Sequence, residues 1–296
     1  MAGASSCRQG TGAQVVIYCA QDQEYAEPIF RDFTRATGIQ VRAVYDSEAV
    51  KTVGLANRLL AERAHPQCDV FWSNEELRTR QLAARGVFRA TNGWVAVGYR
   101  SRRIVIHTNL VSNATVPRTL EDLTNAVWRG KVALAYPLFG TTATHFLCLR
   151  QAWGEARWRT WCRALVANRP FLVDGNSLVV SLVGKGEATV GLTDSDDIAD
   201  GQRERFPVMA RPLGADSLLI PNTIGLVRGA PHPAAAQQLA DYLQSRPVVA
   251  RLIAARALEG FDAALVATPT LKVDWAKLLA DLDAGTAELK NIFLRQ

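Results

Sequence analysis

The chain has 296 residues, 48% hydrophobic and 21% charged, an ordinary globular composition with length enough for two separate cores. Its net charge of +6 arises from 34 Lys and Arg scattered among 28 acids with no basic run, which argues against a nucleic-acid groove. No apolar stretch reaches the roughly eighteen residues of a membrane-spanning helix, and the five cysteines, Cys7, Cys19, Cys68, Cys148 and Cys162, lack the spacing of a zinc site or a disulfide scaffold.

Residues 1–13 are small and polar and read as a disordered segment. They lack the apolar centre of an export signal, although Ala4-Ser5-Ser6-Cys7 faintly matches the end of a lipoprotein signal, so an exported protein with a lipid on Cys7 stays open. Residues 14–19 form a continuous apolar run suited to a parallel strand covered on both faces. The run ends in Ala20-Gln21-Asp22, and Tyr25, Ile29, Phe30 and Phe33 then recur at helical spacing until Gly38. Residues 40–45 read as a second strand. Asp46-Ser47-Glu48 looks like a helix start, with Val50, Val53, Leu55, Leu59 and Leu60 as the apolar stripe. Residues 68–72 are a third strand, and Ser73-Asn74-Glu75-Glu76 opens a third helix through Leu77 and Leu82 to Gly86. Three strand–helix units in succession predict a parallel sheet with right-handed crossovers.

Beyond Gly93 the pattern changes to extended segments at 94–99 and 104–107, as expected of a chain crossing into a second lobe. A short helix at 120–123 and a strand at 131–136 follow. Pro137-Leu138-Phe139-Gly140-Thr141-Thr142 then leads into a helix bearing Phe146, Leu147, Leu149 and Trp153. A strand, a small-residue turn and a helix leave backbone N–H groups free, so Gly140, Thr141 and Thr142 suit an anion; a plain helix cap by either threonine explains the string equally well. Asn176 and Ser177 open a further helix on the same predicted sheet edge. Residues 217–227 read as a return strand broken at Pro221-Asn222, followed by two helices within 233–258 and a last one at 275–293.

The most telling string is Gly191-Leu192-Thr193-Asp194-Ser195-Asp196-Asp197, a cluster of carboxylates after a β-branched run. It belongs at the C-terminal end of a strand, the edge where open α/β sheets bind ligands. Adjacent carboxylates repel one another unless a cation offsets them, so the cluster reads either as a site for positive charge or as a turn capping the next helix. Asp22, Asp196, Asp197 and Glu75, with Glu76, Asp46 or Glu48 in reach, would form an all-oxygen set for a hard metal ion. The same acids opposite a Gly-Thr-Thr helix mouth equally fit a small zwitterion. Trp72 and Tyr45 could stack on an organic cation or simply pack. His145 lies in an apolar helix, where a satisfied core histidine is the default. No G-x-S-x-G, phosphate-loop lysine or H-E-x-x-H motif is present, which leaves hydrolysis by cleft carboxylates as the least supported alternative.

Several strings together resemble the periplasmic ferric-ion-binding proteins, solute receptors of ABC transporters with a two-lobed Venus-flytrap fold. They include Val16-Ile17-Tyr18 with Gln21 and Glu24, Gly38-Ile39-Gln40-Val41, Asp69-Val70-Phe71-Trp72, and Arg100-Ser101-Arg102 with Val105. Trp128-Arg129-Gly130-Lys131, Asn176-Ser177, Gly186-Glu187 and His232-Pro233 leading to Ala240-Asp241-Tyr242-Leu243 complete the set. The resemblance implies an α/β fold with lobe 1 at 14–98, lobe 2 at 99–220, and a return to lobe 1 with C-terminal helices at 221–296. The hinge would lie near residues 95–106 and 217–227. The family's metal-ligand places fall on Asp22, on Asn74 beside Glu75, and on Asp196-Asp197, so none of its own ligand types is kept. Its anion-holding places fall on Gly140, Thr141, Thr142, Asn176 and Arg100 or Arg102. The resemblance further implies a periplasmic, monomeric receptor without catalytic activity. It would bind a ferric-type ion with a synergistic anion, or alternatively an amine-bearing anion such as 2-aminoethylphosphonate, and deliver it to an inner-membrane permease.

Overall fold

The structure, a computed structural model, describes residues 13–46, 51–91, 93–266 and 270–294. Cys7, Ser47, Glu48, Val50 and nearly all of the segment expected to be disordered lie outside those residues.

Three strand–helix units open the chain: β1 (Gln14–Cys19), α1 (Gln23–Thr37), β2 (Gln40–Val44), α2 (Lys51–Ala61), β3 (Val70–Ser73) and α3 (Glu76–Ala84). β1 pairs parallel with both β2 and β3. The helix α1 ends where Gly38 adopts φ 75, a left-handed conformation that costs glycine nothing. The long strand β4 (Trp94–His107) then carries the chain out of this sheet. The second group comprises β5 (Val132–Ala135), α4 (Gly140–Trp153), α5 (Glu155–Ala167), β6 (Phe171–Val173), α6 (Asn176–Gly184), β7 (Val190–Asp194), α7 (Ser195–Arg203) and β8 (Val208–Arg211). Short 3-10 turns at Glu121–Thr124 and Gly214–Asp216 flank it. β9 (Leu219–Leu226) returns, followed by α8 (Pro233–Gln244), α9 (Arg246–Ala254), α10 (Ala263–Val266), α11 (Trp275–Ala280) and α12 (Leu282–Phe293).

The strands run in the order β2-β1-β3-β9-β4-β7-β5-β6, with β8 paired to β4. β4 is shared. Its first half, Trp94 to Ser101, pairs with β9 of the first lobe, and its second half, Arg102 to His107, pairs with β7 and β8 of the second. The two extended segments expected at 94–99 and 104–107 are therefore one strand. β9 is likewise continuous, not broken at Pro221-Asn222. Pro221 faces Tyr99 across a register shift at Gly98, and at such a bulge a missing N–H costs no ladder bond.

Each sheet is packed on both faces because its strands alternate. In the first lobe, Ile17, Val70 and Trp72 meet Phe30, Phe33 and Leu239, while Tyr18 and Phe71 meet Leu55, Leu59 and Leu82 on the reverse. In the second, Ile104, Leu134 and Leu192 meet Phe146, Trp158 and Trp161, while Val105 and Ala133 meet Val179, Val183 and Ile198. Each such aliphatic or aromatic side chain contributes roughly 1.5–3 kcal/mol when fully buried. The expected last helix at 275–293 is two, α11 and α12, and Leu289 and Phe293 pack into the second lobe's core. His145 is fully buried, with Nε2 2.7 Å from the carbonyl oxygen of Asp216, the satisfied core histidine that its apolar helix predicts.

Candidate functional site

The C-terminal ends of the parallel strands point into a crevice between the lobes. Its walls are Asp22, Thr52, Asn74 and Arg100 on one side, and Tyr136, Phe139 to Thr142, Asp174 to Asn176, Asp194, Asp196 and Asp197 on the other. The crevice opens to solvent, and the space between its walls is small, about 70 Å³.

The floor follows from strand register. Arg102 on β4 sits directly opposite Asp194 on β7, and Arg100, two residues earlier, projects from the same face. Arg102 Nη1 donates to Asp194 Oδ1 at 2.6 Å and Arg100 Nη2 to Oδ2 at 3.2 Å. Thr141 donates its hydroxyl to Asp194 Oδ2 at 2.7 Å, and Asn176 Nδ2 does so at 3.2 Å. Burial alone would raise the Asp194 carboxyl, but the Arg102 and Arg100 charges outweigh it and hold it below the ordinary carboxylate range. Asp194 is thus neutralised by the chain's own guanidiniums and is not a vacant ligand. Asp194 was expected among the ligand-binding residues; its partners are instead the chain's own arginines, Thr141 and Asn176.

Asp196 and Asp197 differ. They begin α7 just above that floor, where a helix N-terminus favours negative charge. Arg100 Nε lies 3.1 Å from Asp196 Oδ2, while the buried Asp196 Oδ1 has no hydrogen-bond partner. Burial, together with the neighbouring Asp194 and Asp22 charges, pushes Asp196 up to about 7 against the pull of Arg100. Burial and the Asp196, Asp194 and Asp22 charges drive Asp197 well above the ordinary range. One oxygen from each of Asp194, Asp196 and Asp197 lies within 4.8 Å of the others. Four carboxylates, Asp22, Asp194, Asp196 and Asp197, thus share the crevice with one lining guanidinium, Arg100, and the buried Arg102 beneath, and the crowding leaves Asp196 and Asp197 reluctant to ionise until further positive charge is supplied.

Beside these acids, on the same wall of the crevice, are the starts of α4 and α6. Neither helix is capped by the side chain of its preceding residue, Phe139 or Gly175. Their first residues, Gly140, Thr141, Thr142 and Asn176, line the crevice, so orphan N–H groups and partial positive charge are offered there. The crevice is bipolar: carboxylates from both lobes, Asp22 on one wall and Asp196 and Asp197 on the other, converge beside the N-termini of α4 and α6.

The structure brings together Asp22, Asn74, Gly140, Thr141, Thr142, Asn176, Asp194, Asp196 and Asp197. The other candidates lie elsewhere. Glu75 is the N-cap of α3: its carboxylate accepts from the N–H groups of Leu77 at 2.7 Å and Arg78 at 3.0 Å, and from Thr144, leaving it committed rather than a metal ligand. Glu76 pairs with Arg80 at 2.5 Å. Trp72 is buried edge-on against Phe30 in the first-lobe core, and Tyr45 donates to Glu27 at 2.9 Å against the same core, so neither stacks over the crevice. Ser177 is exposed outside the lining, and Asp46 is exposed as well. Thr52, Tyr136 and Asp174 were not anticipated. Tyr136 follows a parallel strand directly, at the edge that the strand rule marks, and was legible on that ground; Thr52 carries no local signal.

Two α/β lobes joined by shared strands, with polar groups from both meeting in one crevice, are the fold of a two-lobed periplasmic binding protein. Residues 15–255 match the model of the bacterial extracellular solute-binding proteins, and the chain belongs to that family. It is 24% identical over 202 residues to the major ferric iron-binding protein of Neisseria meningitidis, covering 62% of this chain and 59% of that protein. The chain thus spans less than two thirds of that relative's length. It is 27% identical over 252 residues to a Salmonella typhimurium protein provisionally named as a 2-aminoethylphosphonate-binding periplasmic protein, covering 78% of this chain and 72% of that one. Among solved structures, iron-bound HitA from Pseudomonas aeruginosa superposes with a TM-score of 0.82 at 18% identity, over 95% of this chain and 99% of that chain. These are solute-binding proteins, not enzymes.

Proposed function

We propose that the chain is the periplasmic receptor of an ABC importer and captures a small zwitterion, an ammonium joined to a compact anion as in 2-aminoethylphosphonate, for delivery to an inner-membrane permease. The observation that carries this is the bipolar crevice. The ammonium faces Asp22, Asp196 and Asp197, including the unpartnered Asp196 Oδ1, and the anion faces the uncapped starts of α4 and α6 with Thr141, Thr142 and Asn176. A pure cation would meet only half of this surface, and a pure anion only the other half. The narrow space between the walls, about 70 Å³, favours a small solute. The relative named for 2-aminoethylphosphonate points the same way.

The close approach of three carboxylates supports a second reading, a hard cation such as Fe(III) with a synergistic anion at the helix mouths. The two buried arginines weigh against it, because they already hold Asp194. Tyr18 and Tyr45 donate to Glu62 and Glu27, so the phenol available to a metal in the crevice is that of Tyr136.

The test is calorimetry with 2-aminoethylphosphonate and with ferric citrate on the wild type and on Asp196→Ala/Asp197→Ala. The zwitterion reading expects micromolar or tighter binding of the phosphonate, lost in the double variant while the protein stays folded. Binding of iron alone, with a visible band that Tyr136→Phe removes, would replace it with the metal reading.

A further inference from the structure

The two acidic walls belong to different lobes, so the gap between them is set by whatever fixes α1 against α7. Asp22 is the residue before α1, and Asp196 and Asp197 stand in the first turn of α7. One turn further along, the same two helices touch. Tyr25 of α1 donates its hydroxyl to Asp200 Oδ1 of α7 at 2.5 Å, and Arg203 Nη2 of α7 donates back to the Tyr25 oxygen at 2.6 Å.

The contact is locked from both sides. Arg203 Nη2 lies 2.5 Å from Asp200 Oδ1 and 3.7 Å from Glu24 of the first lobe. Its other nitrogen donates to the carbonyl oxygen of Ala255, just past α9 of the first lobe, at 2.7 Å. The guanidinium also sits 5.6 Å from the Tyr25 ring centre, and Tyr25 is only 8% exposed. Tyr25 is thus acceptor and donor in a three-residue ring that spans the interlobe seam. None of these three residues lines the crevice.

We infer that Tyr25, Asp200 and Arg203 form a latch between the lobes, a set of positioning residues that holds Asp22 at binding distance from Asp196 and Asp197 and thereby sets how long a bound solute stays. The latch acts on rigid levers. Asp196 and Asp200 are one helical turn apart on α7, and Asp22 and Tyr25 are three residues apart at the start of α1, so a shift at the latch passes to the acids with little loss. Interlobe closure through a few polar contacts is a small free-energy difference, which one hydroxyl is able to bias. The ligand arm of this inference rests on the function proposed above; the closure arm does not.

The experiment compares the wild type with Tyr25→Phe, which keeps the ring and its packing, and with Arg203→Gln. Small-angle scattering of the empty proteins reads closure directly, and stopped-flow tryptophan fluorescence with 2-aminoethylphosphonate reads the rates. The expected result is a larger radius of gyration in both variants, an unchanged melting temperature in Tyr25→Phe, and dissociation faster by about tenfold with association unaltered. An empty-state radius identical in all three proteins would overturn the latch, whatever the rates. If the phosphonate fails to bind the wild type while the radii differ as expected, the latch stands and the proposed ligand falls.

Discussion

Arg102 and Asp194 are direct cross-strand neighbours on β4 and β7, and their side chains meet at 2.6 Å with the arginine fully buried. The pair lies where β4 leaves the first lobe for the second. It therefore welds the floor of the crevice to the hinge, and it accounts for an acidic cluster that can be permanent without being empty. Arg100 extends the weld. It reaches Asn222 Oδ1 at 3.3 Å on β9, and Asn222 in turn donates to Gln21 at 2.9 Å beside Asp22.

Removing Asp194 therefore leaves two buried guanidiniums short of a counter-charge. Asp194→Ala is expected to lose about 3–5 kcal/mol of stability, the cost of breaking a buried pair. In a domain of this size that lowers the melting temperature by on the order of ten degrees. Asp197→Ala, which removes a repelled carboxylate rather than a paired one, is expected to melt no lower than the wild type. Calorimetric or circular-dichroism melts of the two variants separate the structural acid from the binding acid; equal losses in both would refute the division.

Much of this was legible in the sequence, and the part that was not has physical reasons. The parallel units of the first lobe, the crossover near residue 95 and the position of the acids follow from apolar runs and the strand-end rule, both local signals. Glu75 misled because an Asn-Glu-Glu string after a strand looks the same whether its carboxylate faces a cleft or turns back to cap α3, and only the backbone conformation decides. Trp72 and Tyr45 lie at strand ends, yet the alternation of side chains sends them into the first-lobe core. The arginine–aspartate floor depends on the antiparallel register of β4 and β7, which are separated by more than eighty residues of chain, and no local pattern encodes such a register. The Tyr25 latch is longer in range still.

The hinge offers a prediction of its own. Gly98 has φ 62 at the bulge where β4 slips against β9, and a Cβ there would stand 2.4 Å from Leu258 Cδ1. An alanine would be strained by its backbone and crowded by the packed side chain. Gly98→Ala is expected to cost about 1–3 kcal/mol, a range typical of a left-handed position that also meets a core atom. Because the bulge bends the strand shared by both lobes, the radius of gyration of the empty protein should change as well. A variant as stable as the wild type, with unchanged scattering, would show that the bulge is not where the lobes pivot.

The raised carboxyls give stability a distinctive pH dependence. In the folded protein Asp196 holds its proton up to about pH 7, and Asp197 is likewise raised well above the ordinary range, because burial and mutual repulsion disfavour their charge. In the unfolded chain both lose it near the ordinary value of about 4. The folded state therefore binds more protons between those limits. The contribution of these two groups is fully present below about pH 4 and is lost as pH rises through their raised folded values. Asp194 has the opposite sign: its depressed carboxyl contributes above about pH 4, and that contribution disappears as pH falls through its low folded value. The melting temperature of the empty protein should accordingly pass through a maximum on the acid side of neutrality and decline toward pH 8. Asp197→Asn, which cannot ionise, should melt several degrees above the wild type at pH 8 and lie closer to it at pH 5. An ammonium-bearing ligand that supplies the missing counter-charge should reverse the decline in the wild type and do little in Asp197→Asn. Melting curves from pH 4 to 8, with and without 2-aminoethylphosphonate, decide the matter, and parallel declines in the two proteins would remove Asp197 as the group responsible.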